Sequence, residues 1–239
     1  MKPIAIDLFC GLGGWTDGLL AEGYEVIGYD IEAHDYGAGG YPGKLILQDV
    51  TTLHGSQFKD ATLIVASPPC QAYSYRAMPW SLAKALPPPD NTLFETCFRI
   101  QREACEAAGR YIPMVVENVR GAQKWVGRAA WGYGSYFLWG DVPALMPIPT
   151  RKNLGSGTGR NHGRDGQKLP GNNSPRMWSD RRIQRLGDGL RHDEDAFYCA
   201  SSGSNARKAA SAMIAKIPFP LSQHIAKTFH PSRSVSEAA

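Results

Sequence analysis

Five short apolar runs in the first half of the chain each end on residues suited to chemistry rather than packing, and this pattern limits the fold more than any other feature. Ile4 to Phe9 runs into Cys10-Gly11-Leu12-Gly13-Gly14, Tyr24 to Tyr29 into Asp30, and Leu45 to Leu47 toward Asp49. Ala61 to Ala66 leads into Ser67-Pro68-Pro69-Cys70-Gln71, and Pro113 to Glu117 into Asn118-Val119. Helical periodicity over Trp15 to Glu22 and Thr92 to Ala108 separates these runs, so strands and helices alternate and a mostly parallel sheet covered on both faces is expected. In such a sheet the carboxyl ends of the strands open onto one crevice. Gly11, Asp30, Asp49, Cys70 and Glu117 are therefore expected on a common rim. Ala122 to Gly127 reads as a helix start or turn, Ser135 to Trp139 as a sixth strand, and Leu221 to Phe229 as a helix after a break at Pro218-Phe219-Pro220.

At 239 residues and 43% hydrophobic content, the chain is long enough to bury a sizeable core. No apolar run approaches the roughly 18 residues of a membrane helix, and Met1 to Ile6 lacks the apolar stretch of a secretory signal. A membrane partner is excluded on this reading and the cytoplasm is the expected location, in a bacterium or in the host of a phage. The five cysteines, at positions 10, 70, 97, 105 and 199, form no Cys-x-x-Cys pair, so free thiols are expected and no metal site.

The formal net charge of +4 is unevenly spread. Arg151, Lys152, Arg160, Arg164, Lys168, Arg176, Arg181, Arg182 and Arg185 face only Asp165 and Asp180 in a glycine-rich stretch of little apolar periodicity. Such a stretch is either a solvated loop or a surface for phosphates.

Gly11, Gly13 and Gly14 allow backbone to approach a ligand, although a tight turn without a ligand has the same composition. Asp30 is placed to accept from ribose hydroxyls or to cap its strand. Asp49 suits an adenine amino group and, equally, the N-cap of a helix after Thr51. Most cysteines in reducing compartments are small buried hydrophobes. Pro68 and Pro69, however, stiffen the approach to Cys70, and Ser67, Gln71 and Ser74 surround it with groups able to hydrogen-bond a polar ligand edge. Glu117 ends an apolar strand where desolvation favours its protonated, donating form, unless it serves as a buried ion-pair partner. Cys70 and Glu117 thus pair a nucleophile with an acid.

The motifs Asp7-Leu8-Phe9-Cys10-Gly11-Leu12-Gly13-Gly14, Pro68-Pro69-Cys70-Gln71 and Glu117-Asn118-Val119, in this order, resemble those of the cytosine-5 DNA methyltransferases. The resemblance covers residues 4 to 121 and implies a Rossmann-like methyltransferase sheet with a small loop-rich target recognition region. It implies S-adenosylmethionine as cofactor, duplex DNA as partner, base flipping, and methyl transfer to carbon 5 of a cytosine held covalently through C6 by Cys70. By the same resemblance Cys70, Glu117 and Asn118 are catalytic. Asp7, Phe9, Gly11, Gly13, Gly14, Asp30, Ile31, Asp49 and Pro68 bind the cofactor. Ser67, Gln71, Ser74, Arg120, Arg176, Arg181 and Arg182 bind the substrate. Residues 1–142 are then the catalytic and cofactor-binding domain and 143–202 the basic recognition region. Residues 203–230 return to the catalytic domain and 231–239 form a flexible tail. A monomeric, stand-alone modification enzyme is expected.

Two departures stand out. The family's Gln-x-Arg-x-Arg signature is replaced by Gly134-Ser135-Tyr136-Phe137-Leu138-Trp139-Gly140, leaving Arg76, Arg120 or Arg128 as substitutes. Near the end, a family asparagine becomes Ala215 beside Lys216, which is expected to meet DNA phosphate, solvent, or the carboxylate of a modified donor. Alternatives are methylation of tRNA, a weakly active or non-catalytic DNA-binding relative, and use of a carboxylated donor.

Overall fold

The computed structural model describes residues 2–35, 40–74, 87–148, 212–213 and 215–232. The chain divides into two compact units, Met1–Leu154 with Lys216–Ala239, and Gly155–Ala215. Arg176, Arg181, Arg182 and Arg76 lie outside the described residues.

The first unit is built on seven strands: β1 (Ile4–Leu8), β2 (Glu25–Asp30), β3 (Lys44–Leu47), β4 (Leu63–Ala66), β5 (Met114–Asn118), β6 (Trp131–Tyr133) and β7 (Tyr136–Gly140). They form one sheet in the order β3-β2-β1-β4-β5-β7-β6. β1 to β5 pair in parallel, and β7 runs antiparallel to both β5 and β6. The sheet reverses direction of winding between β1 and β4, the position at which doubly wound sheets open a ligand crevice. This is a mixed α/β, doubly wound, Rossmann-like sheet. The strand expected at Ser135 to Trp139 is the seventh rather than the sixth, because the short Trp131–Tyr133 segment forms a hairpin with it.

Both faces are covered. Helix α2 (Thr92–Ala108) buries Phe94, Cys97, Ile100 and Ala104 against Ile6, Leu8, Ile64 and Val116. Helices α1 (Gly14–Ala21) and α4 (Phe219–Thr228) cover the other face, where Trp15, Leu19, Leu221 and Ile225 join Leu63, Val65 and Val115. Side chains alternate across a strand, so Leu63 and Val65 serve one layer and Ile64 and Ala66 the other. That two-sided burial is why β4 reads as an unbroken apolar run. A short helix, α3 (Gln123–Val126), follows the Arg120–Ala122 turn.

Helix α4 begins at Phe219, within the segment expected to break it, because Pro220 occupies the first turn, where proline's missing donor costs no helical bond. It packs closely on α1: a Cβ added at Gly18 would lie 2.4 Å from the Gln223 nitrogen. Among the described residues no helix is long and apolar enough to cross a membrane, and no group of three or more His, Cys, Asp or Glu could hold a metal ion.

Candidate active site

Strand register sets the site. Leu8 lies opposite Tyr29 and Ala66, and Ala66 opposite Val116. Phe9, Asp30, Ser67 and Glu117 are each one residue beyond this row, at the carboxyl edge of four adjacent strands.

Phe9 is the one non-glycine residue with positive φ among those described, at 56°. A bulky side chain in that region stores on the order of 1–3 kcal/mol, so the surroundings must impose it. They do so through the next two amides: Cys10 N donates to the Tyr29 carbonyl at 3.2 Å and Gly11 N to Asp30 Oδ2 at 2.9 Å. Asp30 also accepts from Ile31 N at 2.8 Å and lies 3.4 Å from His34 Nε2. Its carboxylate therefore fastens the glycine turn to the end of β2. Gly11, with φ 49°, faces open space where a Cβ would stand. Beside it Ile31 is 72% exposed, an apolar platform at the edge of the same turn. Open backbone, a carboxylate and an exposed aliphatic side chain suit a ligand with hydroxyls and an aromatic ring.

Two residues expected to touch that ligand serve the turn from beneath. Asp7 is wholly buried, accepting from Thr16 Oγ1 at 2.7 Å and from the Tyr41 hydroxyl at 3.4 Å. Burial pushes its carboxyl up to about 8, which keeps it neutral. A Cβ at Gly14 would lie 2.4 Å from the Ile217 nitrogen, so this glycine admits the returning C-terminal segment rather than a ligand. Gly13, the N-cap of α1, is covered by Pro42 and Tyr41.

Asp49 caps the Val50–Thr52 turn, with Oδ1 accepting from Thr51 N and Thr51 Oγ1, both at 2.8 Å. These bonds hold its pKa below the ordinary value. Of its two expected roles the structure displays the cap.

The Cys70 loop is anchored on both sides. Before it, Asn118 Nδ2 donates to the buried Pro68 carbonyl at 3.0 Å, while Asn118 Oδ1 accepts from Val119 N. After it, Tyr73 N donates to the Cys70 carbonyl at 2.9 Å, and the buried Tyr73 reaches Asn91 Oδ1 through its hydroxyl, also at 2.9 Å. Asn118, expected as a catalytic residue, thus has both polar atoms engaged within the chain and positions the loop. Gln71, Ser74 and Arg120 are exposed around it, as is Arg128.

Burial pushes the Cys70 thiol up, and the Glu117 charge adds to that. Glu117 is itself buried, and its carboxyl rises to about 8 through desolvation, opposed by a hydrogen bond from Ser67. A neutral carboxyl can donate a proton, and Cys70 follows the strand next to the one that carries it. The pair supports nucleophilic attack with general acid assistance.

Three further residues complete the site. Trp15 Nε1 donates to Ser67 Oγ at 2.9 Å. Tyr136, on β7, donates to the Lys216 carbonyl at 3.0 Å, and burial pushes its hydroxyl up, with the Glu117 charge adding to that. Tyr41 covers the glycine turn. A tryptophan in the first turn after a glycine loop is a usable sequence signal; the other two have none, since each arrives from a distant segment. Lys216 Nζ lies 2.7 Å from Asp17 Oδ2, a partner different from the phosphate, solvent or donor considered from sequence.

A family model described as C-5 cytosine-specific DNA methylase matches residues 4–125. No curated protein matches the chain. Among solved structures, a putative DNA modification methyltransferase encoded within an E. coli prophage is 21% identical over 52% of this chain and 34% of that one, with a TM-score of 0.36. The S. pombe Dnmt2 methyltransferase is 17% identical over 52% of this chain and 36% of its own, also at 0.36. The Entamoeba histolytica methyltransferase EhMeth is 13% identical over 62% and 57%, at 0.40. The chain spans between about a third and just over half the length of these structures.

Proposed function

Because the chain belongs to the C-5 cytosine-specific DNA methylase family, we propose that it methylates carbon 5 of a cytosine flipped out of duplex DNA. The observation that carries this reading is the pairing of Cys70 with a buried Glu117 at the ends of neighbouring strands, beside the open glycine turn. Cys70, its thiol proton lost to solvent, bonds through Sγ to C6 of the base while Glu117 gives its proton to N3. Electron density then gathers on C5. S-adenosylmethionine, when bound, supplies the methyl group that C5 takes. Gly11, Asp30 and Ile31 would hold it, the carboxylate suiting hydroxyl donors and the exposed aliphatic side chain an aromatic ring. Loss of the C5 proton to solvent expels Cys70 as its thiolate, and N3 returns its proton to Glu117, which restores the ring. General acid assistance of this kind contributes typically ~10²- to 10⁴-fold.

Duplex DNA carrying 5-fluorocytosine tests the reading, because fluorine blocks the final elimination. A covalent adduct on a denaturing gel, absent in Cys70→Ser, is expected. Adduct on tRNA alone would move the substrate to RNA, and none on either would leave a binding role.

Lys216 is the residue that a carboxylated donor would have to engage. It sits next to Ile217, whose backbone packs against Gly14, and its present partner is Asp17. A donor with an added carboxylate would exchange places with Asp17. Competition between S-adenosylmethionine and its carboxylated form tests this: a preference unaltered by Lys216→Ala removes the second donor.

A further inference from the structure

Between Val119 and Gly140 the chain carries Arg120, Lys124 and Arg128 and no aspartate or glutamate. All three cations are exposed, and none has an ion-pair partner among the described residues, whereas Arg99, Lys216 and Lys227 pair with Glu103, Asp17 and Glu22. Charge clusters of this size are commonly no more than solvated faces. Here the backbone beneath them is built. Gln123 Nε2 donates to the Arg120 carbonyl at 3.4 Å, while Gln123 Oε1 accepts from Ala129 N at 3.2 Å. One side-chain amide therefore bridges the two ends of the segment and brings the backbone of Arg120 close to that of Arg128. Trp139 Nε1 donates to the Gly127 carbonyl at 2.9 Å, which fastens the same segment to β7. Between the two arginines, Lys124 Nζ stands 4.4 Å from the centroid of the Trp125 ring.

The segment is also seated on the nucleophile loop. A Cβ added at Gly121 would lie 2.4 Å from the Tyr73 carbonyl oxygen. Asn91, which accepts from the Tyr73 hydroxyl at 2.9 Å, donates to the Trp125 carbonyl at 3.5 Å. Tyr73 in turn closes the turn that begins at Cys70. The carboxylate next to this contact, Asp90, uses Oδ1 to cap α2 through Thr92 N at 2.8 Å. Three cations without carboxylate partners are thus held against the loop that carries Cys70.

We propose that Arg120, Lys124 and Arg128 form a clamp for the sugar–phosphate backbone of the strand that carries the target cytosine, so that this turn holds duplex DNA beside the nucleophile. Gln123, the one amide of the patch, has both its oxygen and its nitrogen bonded to backbone, which leaves positive charge as what the patch offers a ligand. Contacts of that kind fix a duplex in place through its phosphates and carry no sequence information directly. The patch grips backbone and does not stand in for the Gln-x-Arg-x-Arg signature absent from β7. The inference rests on the reading of duplex DNA as substrate.

The test is equilibrium binding of the full chain to a fluorescein-labelled duplex, read by anisotropy between about 50 and 200 mM salt. The slope of log Kd against log salt drops by about 0.9 for each phosphate contact removed. Arg120→Ala, Lys124→Ala and Arg128→Ala should each flatten it by that amount, and equally on two duplexes of unrelated sequence. Arg120→Lys and Arg128→Lys keep the charge and should keep the slope. Lys59→Ala is the control: Lys59 is exposed before β4, at the end opposite the Cys70 loop, and its loss should leave the slope unchanged. The proposal is overturned by a slope that the triple alanine variant leaves unmoved, by a loss confined to one sequence, by an equal loss in Lys59→Ala, or by a wild type that binds tRNA but no duplex. Adduct formation reports separately on the methylation reading. A flattened slope with no 5-fluorocytosine adduct would remove that reading and keep the clamp, whereas an adduct with an unmoved slope would keep the reading and remove the clamp.

Discussion

Asn118 Nδ2 and the Pro68 carbonyl are joined by a 3.0 Å hydrogen bond in a buried setting, and this one amide ties the strand that carries Glu117 to the loop that carries Cys70. The acid and the nucleophile are therefore placed relative to each other by the residue that follows Glu117, whose side chain reaches across to the loop. Two parallel strands alone would fix the register of Ala66 and Val116 but not the path of the loop beyond.

Asn118→Ala should separate positioning from binding. A buried carbonyl left without its donor costs about 1–3 kcal/mol. Loosening of the loop by an ångström is worth about 10²-fold in rate. The rate of adduct formation on 5-fluorocytosine DNA should fall by that factor, with S-adenosylmethionine affinity, measured by calorimetry, unchanged. A matching loss of donor affinity would mean that the amide supports the cradle instead.

The pH dependence of adduct formation should have a declining limb set by Glu117. Its carboxyl holds a proton up to about 8, so below that pH it can donate and above it the acid is spent. Cys70 acts in the opposite sense, since its thiolate forms only as pH rises. Glu117→Gln should lower the rate by ~10²- to 10⁴-fold and abolish the declining limb. A decline that persists in Glu117→Gln would belong to another group.

Much of this site is legible in sequence because local signals mark it. Ile4 to Phe9 and Ala61 to Ala66 are buried on both faces, so they read as continuous apolar runs, and the glycines, Asp30, Cys70 and Glu117 mark their ends. Helix α2 is legible to the residue, from its capping Asp90-Asn91 and its closing Gly109. The Trp131–Tyr133 strand is not, since three residues around Gly132 carry no alternation. Contacts formed across the chain are equally silent: Trp15 with Ser67, Asn118 with Pro68, and Lys216 with Asp17 join residues whose neighbours in sequence say nothing of the partner. Asp7 and Gly14 look like ligand contacts because they belong to the same motif as Gly11. Only packing shows that one lies under the turn and the other beneath Ile217.

Asp7 should make stability depend on pH. Folding keeps its proton to about 8, whereas an unfolded aspartate releases it near ~3.9. Between those limits the folded state binds more protons than the unfolded, so stability falls as pH rises, levelling off above about 8. Glu117 contributes in the same direction. Thermal unfolding from pH 5 to 9 should show this decline, and Asp7→Asn, which still accepts from Thr16, should flatten part of it. An unaltered slope would mean that Asp7 is ionised in the folded protein.

The seam between α1 and α4 makes the last prediction. Gly18 faces Ser222 and Gln223, and a Cβ there would lie 2.4 Å from the Gln223 nitrogen and the Ser222 carbonyl carbon. Backbone cannot swing aside as a side chain can, so Gly18→Ala must push the two helices apart. Overpacking of this type costs typically ~1–3 kcal/mol, and loss of the Gln223 bond to Glu22, 2.8 Å long, would add to it. The favourable helix propensity of alanine returns at most about 1 kcal/mol, so destabilisation wins. The expected outcome is a lower midpoint in urea, together with faster proteolysis of the C-terminal segment. A midpoint equal to the wild type would show that α4 is free to shift on α1, and with it Ile217 on the glycine turn.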